Sequence, residues 1–269
     1  MPELPDVELY RRYFEAHATG REIAAVSVPD TRILDGTTPQ ALGRRAAGRR
    51  FDGTLRRGKH LLARLGADGW VAFHFGMTGT LEWFEDAAGE PEHTCVLFDF
   101  ADGSHLAIVS VRMLGRVGVA DDAEAFFEDR HLGPDALDPD FGRAAFCKAL
   151  AGRKGTIKSA LTDQSLIAGI GNIYSDEILF QARVHPRATP AALGEAALAE
   201  LYDSMREVLL TAVECGAGSE QFLDRLPKDY LLPHRAESER CPRCGGEIAH
   251  ATIAGRSSYF CPNCQKADR

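Results

Sequence analysis

The chain has 269 residues, 45% hydrophobic and 26% charged, with a formal net charge of −8. That composition is globular, long enough for two domains and a small appendix, and it contains no apolar run of the ~18 residues a membrane helix needs and no signal or transit peptide pattern. The acidic total lends no support to a polyanionic partner, and the seven cysteines do not form a secreted disulfide framework, so the expected compartment is a reducing cytoplasm.

The chain opens Met1-Pro2-Glu3-Leu4-Pro5-Asp6. Methionine before a small residue is normally trimmed, which would leave Pro2 with a free secondary amine. An α-amino group titrates near pH ~8, so a sizeable fraction is neutral and nucleophilic at neutral pH. Attack of such an amine on an aldehyde carbon gives an iminium, a cationic electron sink suited to elimination. Glu3 supplies an adjacent carboxyl for proton transfer. The alternative is that Pro2 and Pro5 only pre-set the start of a helix, read here as Asp6 to His17 and closed by Gly20.

Short strands follow at close spacing: roughly 23–28, 53–56, 60–65, 70–75, 80–84, 94–100, 105–110 and 116–119. Turn signals at Asp68-Gly69, Gly89 and Asp102-Gly103 punctuate them. This pattern predicts a β-sandwich or barrel-like domain to about residue 125. From Arg44 to Lys59 seven basic residues face one acid, Asp52, which is a solvated face or a phosphate-facing stripe. Three loops are unusual for a plain sandwich: Arg57-Gly58-Lys59-His60, Phe75-Gly76-Met77-Thr78-Gly79 and Ser110-Val111-Arg112-Met113-Leu114-Gly115.

From about Phe141 the pattern turns helical, with short helices expected at Phe141–Leu150 and Lys158–Leu166. In Gly169-Ile170-Gly171-Asn172-Ile173-Tyr174 the asparagine reads as an N-cap, and the glycines would let backbone N–H groups approach an anion. Thr189-Pro190 opens a long helix ending before Gly216. A polar linker, Gly218 to Glu239, leads to Cys241-Pro242-Arg243-Cys244 and, sixteen residues on, Cys261-Pro262-Asn263-Cys264. This spacing fits a tetrahedral four-thiolate ribbon around one structural Zn2+, with no open position for catalysis. Cys95, Cys147 and Cys215 read as small core residues.

Taken together, PELPDVE, RRGKHLL, FGMTG, an arginine loop, GIGNIYSDE and a terminal cysteine pair ending CQK resemble the formamidopyrimidine-DNA glycosylase / endonuclease VIII family over nearly the whole chain. The resemblance implies an α+β multidomain fold: an N-terminal β-sandwich with flanking helices (1–130), a helical helix-two-turn-helix domain (131–225), and a linker with a C-terminal zinc-ribbon finger (226–269). It implies a bifunctional DNA glycosylase with AP lyase activity, acting as a monomer on damaged double-stranded DNA and associated with the nucleoid. Pro2 matches the family's nucleophile, Glu3 its catalytic carboxyl, and Lys59 a catalytic-site lysine that contacts phosphate near the lesion. Asn172 and Arg256 match phosphate ligands, and His93 a DNA-contacting histidine. Met77, Arg112 and Leu114 match side chains that fill the gap left by a flipped nucleotide. Extruding a nucleotide costs a few kcal/mol, and wedge side chains offset part of that cost.

Four positions depart from the family pattern. Asp6 stands where glutamate is usual, Ser110-Val111 where Asp-Pro is usual, and Leu114 where purine-specific members carry phenylalanine. The Phe222–Cys241 stretch is shorter than the segment that closes over an oxidised guanine, so a less enclosed base pocket is expected. A binding module that has lost catalysis is the competing reading, against which Pro2 and Glu3 speak.

Overall fold

The computed structural model describes residues Met1 to Lys266, which fall into two compact units. The first comprises Met1–Pro2 and Val7–Arg130; the second comprises Glu3–Asp6 and the chain from His131 onward.

Helix α1 (Leu4–Ala18) starts earlier than the sequence reading places it, because Pro5 sits in its first turn. The first unit continues with β1 (Ile23–Ser27), β2 (Leu34–Asp35), α2 (Pro39–Ala46), β3 (Gly53–Arg57), β4 (His60–Arg64), β5 (Trp70–His74), β6 (Gly79–Phe84), β7 (Thr94–Phe100), β8 (His105–Ser110), β9 (Arg116–Ala120) and α3 (Ala123–Asp129). The expected strands form within a residue or two of their predicted ends. The two-residue β2 and helix α2 were not foreseen. Thr38 caps α2 by accepting from the Ala41 amide, with Pro39 in the first turn.

The strands form two sheets in the orders β1-β7-β8-β6 and β2-β9-β5-β4-β3. Side chains of both sheets and of α1 and α2 share one core, in which Phe14, Phe51, Phe73 and Phe98 meet edge-on or tilted. The sandwich is thus held by apolar burial on facing sheets.

The second unit contains α4 (Arg143–Leu150), α5 (Ile157–Leu161), α6 (Asn172–Gln181), α7 (Glu195–Cys215) and the hairpin β10 (Ala249–Ile253) with β11 (Arg256–Phe260). Three expected boundaries shift. α4 begins at Arg143 behind Gly142 rather than at Phe141. α5 ends at Leu161, where the Thr162 hydroxyl donates back to the Lys158 carbonyl. Pro190 opens only a single 3-10 turn before α7, which closes on Gly216 in the left-handed region.

Tyr174, Ile178, Leu179, Leu201, Met205 and Val208 centre the helical core. The expected polar linker is not one. Leu226, Tyr230, Leu231 and Leu232 are buried, so this stretch is packed structure. Cys95 is buried as expected, whereas Cys147 and Cys215 are only half-buried.

Candidate active site

Two carboxylates at the start of α1 organise the second unit. The first turn carries half of a capping box: Asp6 accepts from the Glu3 backbone N–H at 2.8 Å and also from the Ser219 N–H at 2.9 Å. Burial pushes the Asp6 carboxyl up to about 6, against the two backbone donors that favour its ionised form. The shorter aspartate is therefore a structural tie to the Gly218-Ser219 turn. Gly218 leaves room for it, since a Cβ there would lie 2.3 Å from Asp6 Oδ1.

Glu3 is fully buried. Its Oε2 accepts from the N–H groups of Gly171 (2.8 Å) and Tyr174 (3.1 Å), and its Oε1 accepts from Ile173 (2.8 Å). These are N–H groups at the start of α6, so Glu3 caps a helix 168 residues away, at the positive end of its dipole. This corrects the expected capping. The N-cap is Gly171, which has no side chain to offer, and Asn172 is the first helical residue. It also reassigns the anion expected at the glycines: the anion is the chain's own Glu3.

Both glycines are required by that contact. A Cβ on Gly171 would sit 2.3 Å from Glu3 Cδ, and one on Gly169, at φ +115°, would sit 2.6 Å from Leu4 Cδ1. The Leu4 amide donates to the Gly169 carbonyl at 3.0 Å, completing the dock.

The Asn172 side chain is thereby not used as the cap, and its buried Oδ1 has no hydrogen-bond partner among the described residues. Beneath it lies a polar network that sequence reasoning missed. The Lys158 ammonium pairs with Asp176 and donates to the Ser257 carbonyl at 3.2 Å. Asp176 also accepts from the Ser258 hydroxyl, the Tyr259 N–H and the Arg235 guanidinium. Burial lowers the lysine's proton affinity and Asp176 opposes that shift. This network fixes β11, which begins at Arg256, onto α6, which begins at Asn172. The signal was present in sequence: Ser175-Asp176-Glu177 puts consecutive polar residues on a helix otherwise built for burial. Arg256 itself is exposed.

The four cysteine sulfurs lie within 4.8 Å of one another, with Cys241–Cys264 at 3.9 Å and Cys244–Cys261 at 3.5 Å. Tetrahedral zinc with Zn–S near ~2.3 Å requires S···S separations of about 3.8 Å, so the donor set and its spacing fit a structural zinc. The metal would join the two turns that flank the β10–β11 hairpin.

In the first unit, the loops of Met77 and Arg112 come together. The Arg112 N–H donates to Thr78 Oγ1 at 3.2 Å, and Gly76 packs so closely on the Leu114 carbonyl carbon that a Cβ would lie 2.3 Å from it. Met77 (41% exposed), Leu114 (44%) and Val111 (61%) stand out as exposed apolar side chains. His93 lies on an exposed turn at φ +64°, and its carbonyl accepts from the N–H of Ser110, where this loop begins. Lys59 is buried in the turn between β3 and β4 (8% exposed). Pro2 is half-buried in the same unit.

The basic run differs from a free phosphate stripe. Arg45, Arg49, Arg50, Arg56 and Arg57 pair with Asp121, Asp68, Glu22, Glu8 and Glu124. Glu8, held between Arg11 and Arg56, has its carboxyl lowered to about 2.

The chain thus combines a β-sandwich, a helical unit whose central helix is capped by Glu3, and a four-thiolate ribbon. Comparison with known proteins identifies this combination. The chain matches the formamidopyrimidine-DNA glycosylase N-terminal domain over residues 1–117, the formamidopyrimidine-DNA glycosylase H2TH domain over 132–224, and a zinc finger found in FPG and IleRS over 238–267.

It is 34% identical to a formamidopyrimidine-DNA glycosylase of Pelotomaculum thermopropionicum, covering 99% of both chains. It is 38% identical to one from Moorella thermoacetica, over 91% of this chain and 92% of that one. Among solved structures, the Lactococcus lactis enzyme non-covalently bound to DNA containing an AP site superposes with a TM-score of 0.89 at 32% identity, over 98% and 99% of the two chains. The same enzyme with DNA containing FAPY-dG gives 0.88 at 31%, over 98% and 100%. The chain belongs to the formamidopyrimidine-DNA glycosylase family, whose members are base-excision-repair glycosylases with AP lyase activity. No helix among the described residues is long and apolar enough to cross a membrane.

Proposed function

We propose that this chain removes damaged bases through the Pro2 amine and then nicks the strand, with Glu3 as the neighbouring proton carrier. The observation that carries this reading is the Glu3 cradle. A buried carboxylate held by backbone N–H groups of α6 stands next in sequence to the proline, with its position fixed by Gly169 and Gly171.

Removal of Met1 exposes a secondary amine. Its lone pair attacks C1′ of the extruded nucleotide, and the C1′–N bond breaks as the base leaves with its electron pair. The proline nitrogen gives up its proton, the C1′–O4′ bond breaks with its electron pair going to O4′, which takes a proton carried by Glu3, and an iminium forms between the proline nitrogen and C1′. Loss of a C2′ proton then expels the 3′ phosphate, and hydrolysis frees the amine. Pre-positioned donors and acceptors of this kind act by orientation, since they need no rearrangement as the reaction proceeds.

Asn172, Arg256, Lys59 and His93 are proposed as contacts to the phosphate backbone, which position the duplex without reading bases. The exposed Met77, Arg112 and Leu114 are proposed as the wedge. These assignments divide the work among segments 1–130, 131–225 and 226–269 of a monomer. A nucleoid-associated cytoplasmic location suits the unpaired Cys95, Cys147 and Cys215.

Borohydride added during reaction with abasic-site duplex should reduce the iminium to a stable protein–DNA adduct that maps to Pro2. Trapping undiminished in Pro2→Gly but abolished by a lysine substitution would overturn the assignment.

For substrate, abasic sites and a broad range of ring-opened purines or oxidised pyrimidines, with modest opposite-base preference, are proposed over 8-oxoguanine. Leu114 is a smaller wedge than phenylalanine, and loose apolar contact discriminates by only ~1–3 kcal/mol. Single-turnover rates on ring-opened guanine, thymine glycol and 8-oxoguanine opposite cytosine decide this. An 8-oxoguanine rate clearly above the others, collapsing opposite adenine, would refute it.

A further inference from the structure

The turn from Ser110 to Gly115 holds one side chain that the chemistry above does not use. Met113 lies between Arg112 and Leu114 but is not exposed with them. It is half-buried and packs on the sandwich core. Its backbone sits at φ +51°, in the left-handed region that residues other than glycine rarely occupy. Such a conformation persists only where the surroundings over-determine it.

Those surroundings come from β7. Its pairing with β8 slips between Thr94 and Val96, which leaves Cys95 in a bulge. The Cys95 side chain is buried, and its thiol lies 3.2 Å from Met113 Sδ, 3.2 Å from the His93 carbonyl oxygen and 3.7 Å from the Ser110 carbonyl oxygen. His93 is itself left-handed, at φ +64°, and its carbonyl accepts from the Ser110 N–H at 3.1 Å. One sulfur therefore touches the turn twice, at Ser110 where it leaves β8 and at Met113 three residues before β9 begins. With residue 113 turned inward, its neighbours on either side are turned out: Arg112 and Leu114 are both exposed.

We propose that Met113 is the positioning residue of the wedge. Seated on Cys95, it fixes the left-handed turn that presents Arg112 and Leu114 before DNA arrives. The inference rests on the wedge reading of those two side chains. Ordering a loop on binding costs conformational entropy, and a turn already ordered avoids that cost at the moment of insertion. Methionine suits the seat because its unbranched chain fills an irregular gap, and a thioether accepts weakly from a thiol. The role belongs to extrusion of the nucleotide and not to the bond changes at C1′.

The test compares two single-turnover rates: base removal from ring-opened guanine paired with cytosine, and cleavage at a ready-made abasic site in the same duplex. Extrusion costs more for a stacked, paired base than where the base is already missing. Met113→Ala should slow base removal on the order of tenfold and abasic-site cleavage by less than about threefold, a split that a general loss of structure does not produce. Met113→Leu, which fills the seat with similar volume, should stay within about threefold of wild type on both substrates. Met113→Gly adopts the left-handed backbone freely but cannot reach Cys95, so it should fail as Met113→Ala does. Cys95→Ala should give the same split, and the double change Met113→Ala with Cys95→Ala should be no slower than the worse single change. The thermal midpoint checks that each protein is folded, and Met113→Gly and Cys95→Ala decide the matter if Met113→Ala is not.

Wild-type rates in Met113→Ala, equal losses on the two substrates, losses in Met113→Leu as large as in Met113→Ala, or losses that multiply in the double change would each overturn the proposal. Arg112→Ala and Leu114→Ala separate this from failure of the wedge reading. If neither produces the split, the wedge reading falls and the inference falls with it. If either does while Met113→Ala does not, only the positioning role is lost.

Discussion

Glu3 and Gly171 are separated by 168 positions, yet the glycine N–H donates to the glutamate at 2.8 Å, and no side chain larger than hydrogen fits at Gly171 while that bond exists. Gly171→Ala should therefore push Glu3 off the start of α6. Overpacking of this kind costs typically ~1–3 kcal/mol. Abasic-site cleavage should fall further than stability, at least tenfold in single-turnover rate, because the carboxylate is moved rather than lost. Wild-type cleavage in a folded Gly171→Ala protein would show that Glu3's position is not critical.

The Lys158–Asp176 pair predicts a different failure. Breaking a buried ion pair from one side costs ~3–5 kcal/mol, since the remaining charge has left water without its partner. Lys158→Met should lower the urea midpoint accordingly. It should also weaken binding to different lesions to a similar degree, because β11 and the start of α6 lose a shared tie. The double change Lys158→Met with Asp176→Asn should recover part of the stability. A single mutant as stable as wild type would mean that Arg235 and the Ser258 and Tyr259 donors suffice for Asp176.

Glu177 gives a pH signature. It is fully buried, and burial raises its carboxyl to about 7, against the Gln181 and Leu232 donors. Between the unfolded carboxyl value and about pH 7 the native state holds a proton that the unfolded chain has released, so stability falls as pH rises through that window. The loss is on the order of 3 kcal/mol at most. The His60–His74 pair acts in the opposite sense: its depressed values make stability fall as pH drops below about 6.5. Glu177→Gln should remove the fall between about pH 6 and pH 7, leaving the like-signed contribution of Asp6, whose carboxyl is raised to about 6, and the opposite slope of the histidines. Denaturant unfolding of both proteins from about pH 5 to pH 8 tests this, and parallel pH curves would refute it.

Zinc should be structural. Thiolate ligation can contribute on the order of 10 kcal/mol to ordering a small ribbon. Cys244→Ser should lose the metal and, with it, DNA binding, because Arg256 rides on the hairpin between the two cysteine turns. The sandwich core of the first unit should keep its near-ultraviolet signature. Active protein without zinc by metal analysis would contradict this.

By itself the sequence determined the strands of the sandwich, the long helix ending at Gly216, the ribbon and the identity of Pro2 and Glu3 as chemically distinctive residues. Each is a local property: alternation along a strand, a left-handed glycine after a helix, or a cysteine spacing that matches one metal geometry. Tertiary structure alone decided what the glycines of Gly169-Ile170-Gly171 are for. The motif is equally suited to any anion at a helix start, and the anion turned out to be a side chain from the opposite end of the sequence.

The same holds for the arginines between Arg44 and Arg57. A run of positive charge reads identically whether it faces solvent, phosphate or carboxylates, and their partners lie at positions as remote as Glu8, Asp121 and Glu124. Helix propensity and periodicity act over a few residues. Charge pairing and steric room depend on which distant segments the fold brings within 3 Å, and no local pattern encodes that.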